Sequence, residues 1–127
     1  MTETEALLLQ AYAAFNRRDI DGALELMTPD VHWPKASEGG SVVGKDEIRA
    51  YWTRQWQEFD PSVEPLAMVE QEDGSVLVRV HQVVKSLQGD LLSDSTVVHI
   101  FTLRGGRIAL MELGDEREAS SAFTHRS

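Results

Sequence analysis

AYAAFNRRDIDGALELMTPDVHW, residues 11–33, is the stretch that decides the fold of this chain. It predicts the end of one helix, a short polar break, a second helix and then a strand that carries Trp33. The second helix is expected to begin at Asp19, because an aspartate there can accept a hydrogen bond from a first-turn backbone N–H. It is expected to end before Pro29, since the residue before a proline disfavours helical geometry.

The flanking sequence extends this pattern in both directions. Thr2 and Glu5 match a capping box, so the first helix is expected to begin there. A third helix is predicted from about Lys45 to Phe59. Four strand candidates follow, separated by turn signals, and sequential hairpins predict a mainly antiparallel sheet. These candidates are residues 63–71, 75–87, 91–104 and 107–113. The fold class is therefore α+β.

Length and composition limit the classes of function. The 127 residues fit one domain over 1–127, with a polar, flexible tail expected from 116 to 127. A net charge of −9 disfavours nucleic acid and anionic lipid as partners. The absence of cysteine excludes disulfides and thiolate chemistry. No signal sequence or membrane span is evident at the N-terminus, so a cytoplasmic protein is expected.

Several motifs resemble the nuclear transport factor 2-like (NTF2-like) superfamily, which includes ketosteroid isomerases and SnoaL-type polyketide cyclases. The motifs are YAAFN at 12–16, DIDG at 19–22, DVHW at 30–33, VGKDEIR at 43–49 and IFTLRGGRI at 100–108. The resemblance implies three N-terminal helices packed on the concave face of a curved, mainly antiparallel sheet that encloses a conical pocket. It also implies a homodimer formed through the convex face. These motifs are mostly fold-forming residues, so they support the architecture better than any chemistry.

A ketosteroid isomerase-like site is not expected in this chain. Such a site would need a carboxylate base after the first strand, a tyrosine on the first helix and a neutral acid on the penultimate strand. Alignment by the flanking motifs places Lys35, Ala11 and His99 at those positions. Tyr12 is one residue from the tyrosine position and is therefore rotated by about 100° around the helix. All three positions depart from the required residues, so the sequence excludes that mechanism.

The resemblance to SnoaL-type cyclases implies an acidic residue near the last strand, assisted by a histidine in the pocket. Glu112 and Asp115 are the nearest acidic candidates, and His99 lies on the neighbouring strand. Alternation groups His99 with Phe101 and Glu112 with Ile108 on the inward face. The sequence therefore predicts His99 and Glu112 as a catalytic pair. Asp115 lies past the strand and also fits a solvated turn residue.

Six residues are predicted to contact a ligand in the pocket: Tyr12, Trp33, Lys35, Trp52, Trp56 and Phe101. Trp33 is the strongest candidate because it lies one position from the strand end. Trp52 and Trp56, four residues apart on the third helix, also fit an ordinary core face. Lys35 would be a base or an imine-forming amine only if it were desolvated, and it also fits a solvated loop residue.

The leading functional hypothesis is a SnoaL-like protein that binds a small, largely apolar organic molecule, with isomerase, cyclase or hydrolase-type acid–base chemistry by His99 and Glu112. The alternative is a non-catalytic dimeric module for ligand sequestration or partner docking. In that case His99 is a core histidine and Glu112 occupies an edge position. Leu77 and Val83 on the outer sheet face would contribute to the dimer. No cofactor is expected, and the four histidines lack the short spacing of a metal site.

Overall fold

The computed structural model describes residues 2–35 and 39–114. Three helices and six strands occur in this part of the chain. In chain order they are α1 (Glu3–Asn16), α2 (Ile20–Leu24), β1 (Met27–Pro34), β2 (Ser41–Val43), α3 (Lys45–Glu58), β3 (Phe59–Glu70), β4 (Val76–Ser86), β5 (Leu91–Arg104) and β6 (Arg107–Gly114). The predicted tail from 116 to 127 lies outside the described residues.

The six strands form one sheet in the order β2-β1-β6-β5-β4-β3. β1 and β6 run parallel, and every other neighbouring pair is antiparallel. The helices pack on one side of this sheet, which confirms the predicted α+β architecture. Among the described residues, no helix combines the length and the apolar character needed to cross a bilayer.

Both predicted helix starts are confirmed by hydrogen bonds at the caps. The Glu5 backbone N–H donates to Thr2 Oγ1 over 3.1 Å, and the Thr2 N–H donates to Glu5 Oε1 over 2.9 Å. These are the two reciprocal bonds of a capping box. At α2, the Gly22 N–H donates to Asp19 Oδ1 over 2.9 Å. Each cap satisfies backbone donors that have no partner inside the helix.

Strand boundaries differ from the sequence prediction where prolines occur. The second helix, expected to end just before Pro29, ends at Leu24, and β1 begins at Met27, so Pro29 lies inside the strand. β3 begins at Phe59 and includes Pro61, whereas the sequence predicted a helix to about Phe59 and a strand only from residue 63. β3 is an edge strand, where a residue that lacks a backbone N–H can face away from the ladder. The short strand β2 was not among the predicted strands.

The two faces of the sheet have different surroundings. The inner face, defined by Val78, His99, Phe101 and Met111, packs against the helices, where Trp52 is among the largest buried side chains. The outer face, defined by Leu77, Val98 and Ile100, holds a second and smaller apolar cluster. The main core therefore lies between the helices and the inner face.

A β-bulge interrupts β6. Leu103 pairs with Ile108 and Thr102 pairs with Leu110, so Ala109 is an extra residue with no partner on β5. An extra residue shifts the alternation of side chains by one position along the rest of the strand. Ile108 lies in the inner core before the bulge, and Met111 returns to the inner face after it. The inward pattern of β6 therefore changes phase at Ala109.

Candidate functional site

A cavity lies between α1, α3 and the inner face of the sheet. Its volume is about 90 Å³, which is room for several waters. Most of its wall is apolar and aromatic. The aromatic lining residues are Tyr12, Phe15, Trp33, Tyr51, Trp52 and Phe101. The polar groups in the wall come from Gln55, Gln82, His99 and the two tyrosines.

Edge-to-face contacts hold the aromatic wall together. The ring of Trp33 lies 5.5 Å from that of Trp52, with an interplanar angle of 85°, and 6.3 Å from that of Phe101. Phe15 also contacts Trp52, at 5.3 Å and 77°. Such arrangements place the positive edge of one ring against the negative face of the next and fix their orientations. Trp52 is only 2% exposed, so this side chain is both core and cavity wall.

His99 and Tyr12 meet inside the cavity, although 87 residues separate them. Tyr12 Oη lies 2.7 Å from His99 Nδ1, and the planes of the two rings are nearly parallel, at 5°. β5 directs His99 inward, and one turn of α1 positions Tyr12 opposite it. Burial lowers the pKa of His99 to about 4 and raises the pKa of Tyr12, since a charged form is poorly solvated there. Both groups are therefore neutral at pH 7.

The described wall of the cavity carries no formal charge. None of its lining residues in the described ranges is an aspartate, glutamate, lysine or arginine. Within residues 2–35 and 39–114, no group of three or more histidine, aspartate or glutamate side chains could hold a metal ion. The site therefore offers shape, aromatic surface and hydrogen bonds.

The structure brings most of the predicted ligand contacts to the cavity. Tyr12, Trp33, Trp52 and Phe101 line it together with His99. Their contact with a ligand stays a prediction.

Two predicted contacts do not lie in the described wall. Trp56 packs behind it, 5.2 Å from Phe15 and 5.8 Å from Trp52, with the Arg18 guanidinium 5.0 Å from its ring. Lys35 lies just past β1, where its backbone N–H donates to the Gly40 carbonyl over 2.9 Å. Neither side chain is a lining residue. The prediction that they contact a cavity ligand therefore lacks geometric support.

The predicted inward placement of Glu112 is wrong. Glu112 is exposed and pairs with Ile100 across the outer face, whereas His99 pairs with Leu113 on the inner face. The cause is the bulge at Ala109, which ends the common alternation of Glu112 with Ile108. His99 and Glu112 therefore do not form a pair in one cavity. Asp115, the other acidic candidate, lies outside the described residues.

Sequence reasoning missed two features of the site. Gln82 follows Val76, Val78 and Val80 on the inner face of β4, so a polar residue at the end of an inward apolar series was an available signal. The bond between Tyr12 and His99 had no local signal, because each residue alone resembles a core position.

Comparison with known proteins supports the architecture. The SnoaL-like domain family matches residues 8–111. An NTF2-like protein of unknown function from Burkholderia pseudomallei is 25% identical, with a TM-score of 0.78 and coverage of 98% of this chain and 99% of that chain. TerC, co-crystallised with polyporic acid, is 29% identical, with a TM-score of 0.78 and coverage of 94% and 96%.

A more distant structure shares the fold. A putative polyketide cyclase from Xanthomonas campestris pv. campestris is 18% identical, with a TM-score of 0.72 and coverage of 94% of this chain and 96% of that chain. The search of curated proteins found no match.

Proposed function

We propose that this chain, which belongs to the SnoaL-like domain family, binds a small and largely apolar organic molecule in the cavity between α1, α3 and the inner face. The observation that carries this proposal is an aromatic cavity with one buried imidazole in its wall. Apolar pockets with a few convergent polar groups are the usual form of small-molecule sites. TerC, 29% identical, was co-crystallised with polyporic acid, which supports ligand binding as the role of this fold.

The walls and the histidine would contribute differently to binding. Removal of apolar surface from water contributes about 25 cal/mol per Å², so the apolar surface of the ligand and of the partly exposed Trp33 would supply most of the affinity. His99 would orient the ligand through a hydrogen bond. This division explains why a mostly apolar site contains a buried imidazole that Tyr12 holds in place.

Binding is a better-supported function than proton abstraction by a carboxylate. The acid–base hypothesis depended on Glu112, which faces outward. No aspartate or glutamate among the described residues lines the cavity. His99 is the remaining group, and as a neutral imidazole it can donate or accept a hydrogen bond. The proposal is therefore ligand binding, with His99 as its polar contact.

A dye titration tests this proposal. N-phenyl-1-naphthylamine is uncharged, and its emission rises in an apolar environment. We expect the wild-type protein to bind it and Ala11→Phe to bind it at least about tenfold more weakly, because Ala11 lines the cavity and the added ring fills it. Ala13→Phe is the matched control, since Ala13 is exposed on the same helix.

A loss of dye binding in Ala11→Phe must come from a filled cavity and not from an unfolded protein. Overpacking typically costs about 1–3 kcal/mol, so thermal unfolding must show that Ala11→Phe remains folded at the temperature of the titration. If dye does not bind to the wild type, or binds equally to folded Ala11→Phe, the cavity is not the binding site.

A homodimer through the outer face is part of the same proposal. Val83 and His81 are partly exposed there, while Leu77 is only 6% exposed and can add little further burial. Isologous contact of such a face is the usual route to a two-fold dimer. Sedimentation at micromolar concentration should give a species of twice 14.2 kDa. A species of 14.2 kDa would contradict the dimer and leave the cavity proposal intact.

A further inference from the structure

We propose that Tyr12 fixes His99 in the tautomer whose Nε2 carries the proton, so that the cavity selects an uncharged ligand with an oxygen acceptor such as a ketone. This inference rests on the proposed function and names the chemistry of its ligand. Tyr12 is then a positioning residue, because it acts on the ligand through His99.

The tautomer follows from the donors available to the pair. The 2.7 Å bond between Tyr12 Oη and His99 Nδ1 admits two arrangements. The phenol O–H is a stronger donor than the N–H of a neutral imidazole, and the unprotonated imidazole nitrogen is a better acceptor than a phenol oxygen. The favourable arrangement has the phenol donate to Nδ1, which leaves the imidazole proton on Nε2.

The Nε2–H group is available to a ligand. Nδ1 and Nε2 lie on opposite edges of the ring, so Nε2 is directed away from Tyr12. His99 lines the cavity, and no described residue accepts a hydrogen bond from Nε2. Nε2 is also not one of the described side-chain atoms that are fully buried and unpartnered. The nitrogen is therefore reached from the cavity, where it presents one donor.

The uncharged cavity wall and the net charge of the protein together favour an uncharged ligand. The described wall supplies no cation for an anionic ligand and no carboxylate for a cationic one. Transfer of an ion from water into an uncharged apolar cavity is strongly unfavourable. The protein as a whole carries a charge of −9, which repels anions. An uncharged molecule with an acceptor oxygen can contact the apolar walls without an ionic desolvation cost and can accept a hydrogen bond from Nε2–H.

Three probes of similar ring size distinguish these requirements. The first is 2-acetylnaphthalene, an uncharged ketone. The second is 2-isopropenylnaphthalene, in which a methylene group replaces the carbonyl oxygen. The third is the anion 2-naphthoate. Titrations followed by tryptophan emission should show the ketone binding about tenfold more tightly than either of the others. Equal affinity for the ketone and the alkene, or tighter binding of naphthoate, would overturn the inference.

Variants of His99 and Tyr12 test whether these two residues cause the preference for the ketone. In His99→Phe the ketone and the alkene should bind equally. In Tyr12→Phe the alkene should bind as in the wild type while the ketone loses part of its advantage, because the tautomer is no longer fixed. His32→Phe is the matched control for His99→Phe, since His32 is exposed on β1 and does not line the cavity, and it should keep the full preference.

Nitrogen-15 NMR of the wild type tests the tautomer without any variant. Its spectrum should show His99 protonated on Nε2 and unprotonated on Nδ1, and a proton on Nδ1 would overturn the inference.

The outcomes of the probe titrations also separate this inference from the proposed function. If both uncharged probes bind equally, the cavity binds ligands and only the selectivity fails. If none of the probes binds, the proposed function fails and this inference fails with it.

Discussion

β5 and β6 lie side by side in the sheet, but their side chains alternate differently. β5 places Val97, His99 and Phe101 on the inner face at every second residue. β6 contains the extra residue Ala109, after which its alternation changes phase. His99 therefore enters the cavity, while Glu112 faces outward. The comparison teaches that strand register decides the environment of a polar residue on an apolar strand, whatever the character of its neighbours.

The largest expected effect on stability comes from substitutions at two adjacent positions of β6. One introduces a carboxylate on the inner face, and the other removes a carboxylate from the outer face. Met111→Glu would place a carboxylate in the inner core, where Met111 is 6% exposed, and should lower the free energy of unfolding by about 3 kcal/mol or more. Glu112→Met changes an exposed site and should shift it by less than about 1 kcal/mol. Urea denaturation measures both. The opposite order would mean that Glu112, and not Met111, faces the core.

The second effect concerns His99 on β5. Its pKa is about 4 in the folded protein against 6.5 as the ordinary value, because burial disfavours the imidazolium. Between these two pH values the unfolded chain binds the extra proton and the folded chain does not. The free energy of unfolding should therefore fall by about 3 kcal/mol as the pH drops from 6.5 to 4.

Two variants isolate this contribution. His99→Gln should lose it, and His32→Gln, at an exposed position of β1, should retain it. Urea denaturation across this pH range measures the difference. If His99→Gln shows the same slope of stability against pH as the wild type, His99 is not responsible for it.

A smaller effect on stability is expected at Trp33. Trp33 is only partly buried, so Trp33→Ala should cost less than the ~3–5 kcal/mol typical of a fully buried aromatic residue. It should still weaken dye binding, because the indole is a cavity wall. Trp52→Ala, at a position 2% exposed, is the comparison and should cost the full amount. Equal losses of stability would make Trp33 a core residue rather than a wall.

The fold was predictable from local signals because caps, helical periodicity and turn residues each act within a few positions. The capping box at Thr2 and the strand from Leu91 to Arg104 are where the sequence predicted them. Pro61 led to a wrong predicted boundary for β3, since an edge strand tolerates proline.

The site was less predictable because it depends on long-range geometry. His99 and the aromatic residues were found by their types and alternation. The bulge at Ala109 has no glycine or proline to mark it, so the phase of β6 was not visible in the sequence. The bond between Tyr12 and His99 required the packing of α1 on the sheet.

The smallest expected effect is the most direct test of the difference in side-chain alternation between β5 and β6. Glu112→Gln removes one charge from an exposed outer position, so it should change stability by less than about 0.5 kcal/mol and leave dye binding unchanged. Gln82→Glu is the same exchange in reverse at a position that lines the cavity, and it should weaken dye binding because the new carboxylate must be desolvated. Parallel dye titrations measure both variants. If Glu112→Gln alters the affinity as much as Gln82→Glu does, the carboxylate of Glu112 reaches the cavity, and the assignment of the two strands to opposite phases is wrong.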